Sequence, residues 1–405
     1  MRLHRNLVFT TIDSLMAIFN EEEYADKVVA RALKKDKRWG SHDRKFVAET
    51  IYEIVRWKRL YAEIAEVKEP FDRDKIWRIF AVWAVLRGYT LPDWKYFEDT
   101  PVRRIKGRFD ELSKIRKYRE SIPDWMDELG VKELGEETWT KELAAQNEQA
   151  KVILRVNKLK TTKEKLRAIL MDLNIETEFH KDYPDALILT ERANVFLTDA
   201  FKDGLFEVQD ASSQLVAYFL DVKPGMRVVD TCAGAGGKTL HLASLMENKG
   251  QLIAMDLYES KLKQLKIRAK RNGAFNIEPR VIESTKTIKK LYDKADRVLI
   301  DAPCSGLGVL KRNPDSKWKL QPDFIDNIRK VQAEVLENYS KIVKPGGKLV
   351  YATCSVLPSE NQEQIKHFLS TEIGKEFTFV KDQKVLASGS GFDGFYMALL
   401  ERKNK

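Results

Sequence analysis

Residues 227–239 read Arg-Val-Val-Asp-Thr-Cys-Ala-Gly-Ala-Gly-Gly-Lys-Thr, and the fold of the second half of the chain turns on them. Arg227–Val229 has the apolar, β-branched character of a short strand, and Leu240–Met246 reads as a helix. Between them Gly234, Gly236 and Gly237 let the backbone turn tightly and approach a ligand closely, with free N–H groups at the start of the helix. A plain structural turn competes with three ligand readings of this loop. A nucleotide-phosphate loop needs Gly-x-x-x-x-Gly-Lys-Thr; Gly237-Lys238-Thr239 supplies the end, but the first glycine would fall at Cys232. Asp301 could imitate the magnesium-holding acid, yet that phosphate cradle is incomplete. A dinucleotide fingerprint fails too, because Thr239 stands where the third glycine is required. S-Adenosylmethionine has no pyrophosphate, and asks for a Gly-rich loop after one strand and an acid after the next. Asp256 closes the strand Gln251–Met255 about 20 residues past the loop, and Glu283 follows Arg280–Ile282.

Outward from the loop, Arg297–Ile300 and Lys348–Ala352 read as further strands, and Glu259–Arg271 and Pro322–Lys341 as helices. This alternation predicts a parallel sheet covered on both faces, with Lys344-Pro-Gly-Gly as the turn that returns the last helix to its strand. Upstream, Val152–Val156 and Ala186–Leu189 read as strands and Lys163–Leu173 as a helix, a small α+β unit. The N-terminal part is helical. Val8, Ile12, Leu15, Met16 and Phe19 share one face; Val47, Ile51, Ile54 and Val55 form a stripe that Trp57, Tyr61 and Ile64 continue; Ile76, Ile79, Phe80, Trp83 and Leu86 form another. Seven of the eight tryptophans precede residue 140, whereas all three cysteines and 15 of 20 glycines follow residue 200, which marks a change of domain.

At 405 residues the chain is long enough for two to four domains of ~100–200 residues. Its 71 Lys+Arg against 61 Asp+Glu give a net charge of +10 and a pI near 9.2, which favours polyanionic partners. The excess is clumped: residues 31–60 hold ten Lys/Arg against four acids, and residues 101–119 hold eight against two. Such clumps are either solvated helix faces or a surface for nucleic-acid phosphates. No apolar run approaches the ~20 residues of a membrane helix, and the basic-then-apolar N-terminus lacks the cleavage site of a signal peptide. Three cysteines cannot staple a secreted scaffold, which points to a reducing cytoplasm. Five scattered histidines offer no metal-ligand spacing, so no metal is expected. Without a sustained heptad or long apolar stripe, a monomer is expected.

Two cysteines stand at equivalent strand ends. Arg297–Ile300 runs into Asp301-Ala-Pro-Cys304-Ser-Gly306, and Lys348–Ala352 into Thr353-Cys354-Ser355. In an open parallel sheet ligands bind beyond the carboxyl ends of the strands, on the same rim as the glycine loop. Carbon 5 of a pyrimidine is a poor nucleophile until a thiolate adds to carbon 6 and breaks the aromaticity; it can then attack a methyl donor. Asp301 is placed to supply a proton or hydrogen bond to the charge that develops on the ring. A second cysteine can assist the later loss of the carbon-5 proton and expulsion of the thiolate. Spacing alone does not say which cysteine attacks.

At these residues the chain resembles the RsmB/Nop/Sun family of RNA cytosine-5 methyltransferases. The matching boxes are Asp230–Thr239, Asp301–Asp315 with Trp318, Tyr351–Asn361, and Val208-Gln-Asp-Ala-Ser-Ser-Gln214 ahead of the loop. Arg31–Arg56, with Ser41-His-Asp-Arg-Lys45 and Tyr52-Glu-Ile-Val-Arg56, resembles the NusB-like RNA-binding domain of RsmB-type enzymes, and Ser121–Trp125 resembles the junction that follows it. The resemblance implies a Rossmann-like methyltransferase domain over residues 216–405, an all-α NusB-like domain over 1–140 and a small α+β RNA-binding subdomain over 141–215. It implies Cys354 as nucleophile and Cys304 as the cysteine of release, with Asp301 in the catalytic set. It places Cys232, Ala233, Gly234, Ala235, Gly236, Gly237, Lys238, Asp256, Glu283 and Asp301 at the S-adenosylmethionine site, and Lys311, Arg312 and Asp315 in a substrate loop. Gly234-Ala235 replaces the family's common Ala-Pro, and Glu283 a more common Asp. The implied activity is formation of 5-methylcytosine in RNA, small-subunit ribosomal RNA before transfer RNA, with a non-catalytic RNA-binding assembly factor as the remaining alternative.

Overall fold

The computed structural model describes residues 3–404, so Met1, Arg2 and Lys405, at the ends of the expected first and last segments, lie outside the described residues. The chain divides into two compact units. One runs up to Glu148 and takes in Leu310–Pro322; the other comprises Gln149–Val309 and the chain from Asp323 onward.

The first unit is helical. Arg5–Asn20 buries Val8, Ile12 and Leu15 and packs Met16 and Phe19 against the same core. Ser41–Arg56 buries Val47, Ile51, Ile54 and Val55. The expected continuation of this stripe is broken at Trp57, whose backbone leaves helical geometry before Lys58–Ile64 resumes. Arg73–Leu86 carries Trp77, Ile79, Phe80 and Trp83 inward, and Asp72 caps it by accepting from Lys75 N at 2.9 Å. The unit closes with Asp124–Leu134 and Glu136–Asn147. An expected domain boundary at residues 140/141 would cut this last helix, and the structure moves it to residues 148/149. Leu310–Pro322 is the larger surprise, since sequence places it in the catalytic half. Within the helical unit, Trp318 Nε1 donates to Val55 O at 2.6 Å, Arg56 Nη2 donates to Lys311 O at 2.7 Å, and Ala25 N donates to the Asp315 carboxylate at 3.0 Å.

The second unit contains two sheets. β1 (Ile153–Val156), β2 (Thr177–Phe179), β3 (Ala186–Leu189) and β4 (Phe206–Val208) form an antiparallel sheet in the order β2-β3-β1-β4. Lys163–Asp172 buries Leu166 and Leu170 in its core. Then follow β5 (Arg227–Asp230), β6 (Gln251–Asp256), β7 (Ile277–Val281), β8 (Ala295–Asp301), β9 (Val343–Thr353), β10 (Phe377–Val385) and β11 (Phe395–Arg402). They assemble in the order β10-β11-β9-β8-β5-β6-β7. Successive residues of a strand point to opposite faces, and both faces are covered here. Val228 and Leu252 join one core with Leu240 and Leu265; Val229 and Ile253 join the other with Leu336 and Phe368.

Three features depart from expectation. The sheet is mixed: β5 to β9 pair in parallel, but β11 runs antiparallel to β9 and β10 antiparallel to β11. Lys344-Pro-Gly-Gly lies inside β9 as an irregularity against β8, not as a turn ahead of the strand. Residues 215/216, expected as a domain boundary, fall within the helix Ala211–Phe219. β5 lies between β6 and β8, so the chain's progression reverses direction there, which opens a ligand crevice at the carboxyl ends.

Candidate active site

Four carboxyl ends build the site: Asp230 of β5, Asp256 of β6, Asp301 of β8 and Thr353 of β9. The glycine loop runs from β5 into the helix Gly237–Leu245. Gly236 has φ +90°, where a side chain would be strained and would strike Leu265. Gly234 is also left-handed, and an added Cβ would meet nothing within 4 Å, so the loop there faces open space. Asp256 fixes the loop from the neighbouring strand, accepting from Gly234 N at 2.8 Å and Tyr258 N at 2.8 Å. Two arginines hold its carbonyls: Arg268 donates to Ala235 O at 2.8 Å, and buried Arg155 of β1 donates to Gly237 O.

The two cysteines meet. Cys304 Sγ and Cys354 Sγ are 3.3 Å apart, across the adjacent parallel strands β8 and β9. All three cysteines are free thiols. The facing Cys354 sulfur, burial and the Glu360 carboxylate hold the Cys304 thiol well above its ordinary range. Beneath both turns lies Glu360, completely buried and hydrogen-bonded to Ser305 and Ser355. Gly308 closes the same corner: its N–H donates to Cys354 O at 2.9 Å, and an added Cβ would lie 2.2 Å from Gly394 O.

Lys238 reaches from the glycine loop to Asp301, with its ammonium 2.6 Å from Oδ2. Burial alone would lower its pKa, but Asp301 and the nearby Cys354 raise it above the usual lysine value, so it stays charged. Burial pushes the Cys232 thiol up as well, and Thr231 is its hydrogen-bond partner. Asp230 is buried too, which raises it to about 7 against the hydrogen bond from Thr239 Oγ1 at 2.7 Å.

A family model described as 16S rRNA methyltransferase RsmB/F matches residues 217–401, and one for the ferredoxin-like domain of RsmF/B-like methyltransferases matches residues 122–196. Ribosomal RNA small subunit methyltransferase B of Vibrio vulnificus is 32% identical over 392 residues, covering 94% of this chain and 87% of its own. The chain belongs to the RsmB/F family. Among solved structures, PH0851 is 27% identical with a TM-score of 0.84, covering 99% of this chain and 100% of that one. NSun6 from Pyrococcus horikoshii with SFG, at 21% identity and a TM-score of 0.65 over 71% of this chain and 100% of that one, shares the fold. Membership makes this an S-adenosylmethionine-dependent methyltransferase, of a family that forms 5-methylcytosine in ribosomal RNA.

In this RsmB/F chain the crevice gathers Cys232 to Lys238, Asp256, Asp301, Cys304 and Cys354. Its residues fit the donor: an open Gly234 and an acid held at the end of β6. Glu283 lies just past β7, exposed at the margin of the rim. The substrate-loop expectation needs correction. Lys311 and Asp315 are buried in the helical unit, where Lys311 N donates to Gln146 Oε1 at 3.3 Å and Asp315 accepts from Ala25 N. Arg312, half-buried, belongs to the same inserted segment. Sequence reasoning missed Glu360 although it lies in the quoted Tyr351–Asn361 box; an acid amid uncharged turn residues was the available signal. No helix among the described residues is long and apolar enough to cross a membrane.

Proposed function

We propose that this chain methylates carbon 5 of one cytosine in small-subunit ribosomal RNA through a transient bond between Cys354 Sγ and carbon 6. What supports it is the pair of sulfurs 3.3 Å apart on the rim that carries the glycine loop. Bound S-adenosylmethionine supplies the electrophilic methyl group on its sulfonium. The Cys354 thiolate adds to carbon 6, and carbon 5 gains the nucleophilic electron pair that takes the methyl. The Lys238–Asp301 pair faces the negative charge that develops on the ring, with the ammonium as its fixed cation. Loss of the carbon-5 proton re-forms the ring double bond and breaks the carbon–sulfur bond. The Cys304 thiol gives its proton to the departing Cys354 sulfur and takes up the one leaving carbon 5; the surplus proton then passes from Cys354 to water, which restores the attacking thiolate.

For a thiolate to approach above the ring, the base must leave its stack, so the target lies flipped from a loop or helix. The four-stranded subdomain and the basic clumps of the helical unit hold the surrounding RNA backbone; Lys311 and Asp315 instead anchor the inserted segment. The enzyme works as a cytoplasmic monomer without metal.

The test is incubation with labelled S-adenosylmethionine and ribosomal or transfer RNA, followed by nucleoside analysis. Label on carbon 5 of cytosine in ribosomal RNA is expected; label on transfer RNA alone would reassign the substrate, and none on either would refute the activity. Cys354→Ala abolishes turnover, and Cys304→Ala accumulates a protein–RNA adduct stable to denaturing electrophoresis. An adduct formed by the Cys354 variant would reverse the two roles.

A further inference from the structure

Glu360 is a charge buried where nothing in the transfer itself touches it. A carboxylate in such a place is costly unless its lone pairs are filled. Here they are filled from both cysteine turns. One oxygen accepts from Ser305 N at 2.8 Å and from Gln332 Nε2 at 2.9 Å; the other accepts from Ser305 Oγ and from Ser355 Oγ at 2.6 Å. Ser305 follows Cys304 and Ser355 follows Cys354, so a single rigid group holds the residue after each sulfur. Gln332 extends the clamp, since its amide also donates to Pro303 O at 2.9 Å, just ahead of Cys304. Tyr351 OH fixes the other side by donating to Glu360 O at 2.8 Å.

We propose that Glu360 is a positioning residue of the methyl transfer: it ties the two cysteine turns at the distance that proton exchange between their sulfurs requires. The inference rests on the two-cysteine function proposed above. An apolar residue of similar size could fill the space but could not fix two N–H and O–H sets at once, and a half-satisfied network would let the turns drift apart. The same negative charge lies behind Cys304 and favours its thiol form. The other ionisable groups facing Cys304 are Cys354 and Tyr351, with the Lys238–Asp301 pair on the Cys354 side.

The experiment compares wild type with Glu360→Gln, using the full chain. Alkylation of Cys304 by iodoacetamide is followed by mass spectrometry across pH without RNA, and single turnovers are run with ribosomal RNA and labelled donor. Glu360→Gln should move the Cys304 alkylation profile to lower pH. It should slow product release about tenfold or more, so that the protein–RNA adduct persists, with the KM for S-adenosylmethionine unchanged. Wild-type behaviour in both measurements overturns the proposal, as does a lower melting temperature with an unmoved alkylation profile. Ser355→Ala removes one arm of the clamp and keeps the charge. It should slow release severalfold with the alkylation profile in place, and keeps the proposal testable if Glu360→Gln does not fold; an unaltered release rate there counts against it. Wild-type protein that leaves no methyl on cytosine defeats the cysteine mechanism, whereas the alkylation measurement still reads Glu360 by itself.

Discussion

Lys317 of the helical unit is buried and Lys238 of the catalytic unit nearly so, and the two are handled in opposite ways. In the helical unit Lys317 is 1% exposed, and its ammonium donates to Arg56 O at 2.9 Å, Asn147 Oδ1 at 3.1 Å and Glu120 O at 3.3 Å. Burial and the Arg56 charge pull its pKa well below the usual lysine value, with Glu120 opposing. In the catalytic unit Lys238 faces the Asp301 carboxylate, which outweighs burial and raises its pKa. An ammonium caged by neutral oxygens joins chain segments and has little reserve of charge. An ammonium locked to a carboxylate beside a thiol keeps its charge where a reaction can use it.

The largest effect should therefore follow from Lys238→Met. Turnover should drop about 10²–10³-fold, as when one preorganised donor is lost from a site of developing charge. Single-turnover kinetics on protein shown to be folded by circular dichroism would check this, and a loss below about threefold would erase the distinction between the two lysines. Lys317→Met should come next, with an effect on stability only. Three oxygens lose their donor, for about 2 kcal/mol in urea unfolding of the full chain, while folded protein keeps its activity within about threefold. Lost activity at unchanged stability would mean that the inserted segment serves chemistry after all. The third test concerns the acid side. Burial raises Asp230 to about 7 from 3.8, so wild type loses stability as pH rises through that window. Asp230→Asn should flatten the melting temperature against pH across the same range; a parallel profile would show that Asp230 ionises as readily folded as unfolded.

How much could be foreseen depended on whether a segment carried its own signal. β5, β6, β8 and the core of β9 announce themselves as apolar runs that end in Asp or Thr at a polar turn, and the boxes at those ends place both cysteines on one rim. β10 and β11 were hidden. The first is exposed along most of its length, and the apolar run Phe395–Leu400 of the second ends in Glu401-Arg402, with no motif box at its carboxyl end. Lys344-Pro-Gly-Gly misled because Pro and Gly mark irregular backbone, whether in a turn or within a strand. The transfer of Leu310–Pro322 into the helical unit had one trace: seven tryptophans fall before residue 140, and the eighth, Trp318, packs on the helical core that holds Trp39, Trp77 and Trp83. Glu360 had a signal of its own, an acid amid uncharged turn residues, but its partners Ser305 and Gln332 lie far off in sequence, so its role as a tie was not legible.

The inserted segment also bears on how the molecule is made. Because the chain passes between the units three times, no single cut releases the helical unit intact. During synthesis the first 148 residues emerge without the piece that completes them. At ribosomal elongation rates that piece follows roughly ten to thirty seconds later, after most of the catalytic sheet. The amino-terminal unit is thus obliged to finish maturing late, and a nascent chain stalled just ahead of Leu310 would carry both halves incomplete.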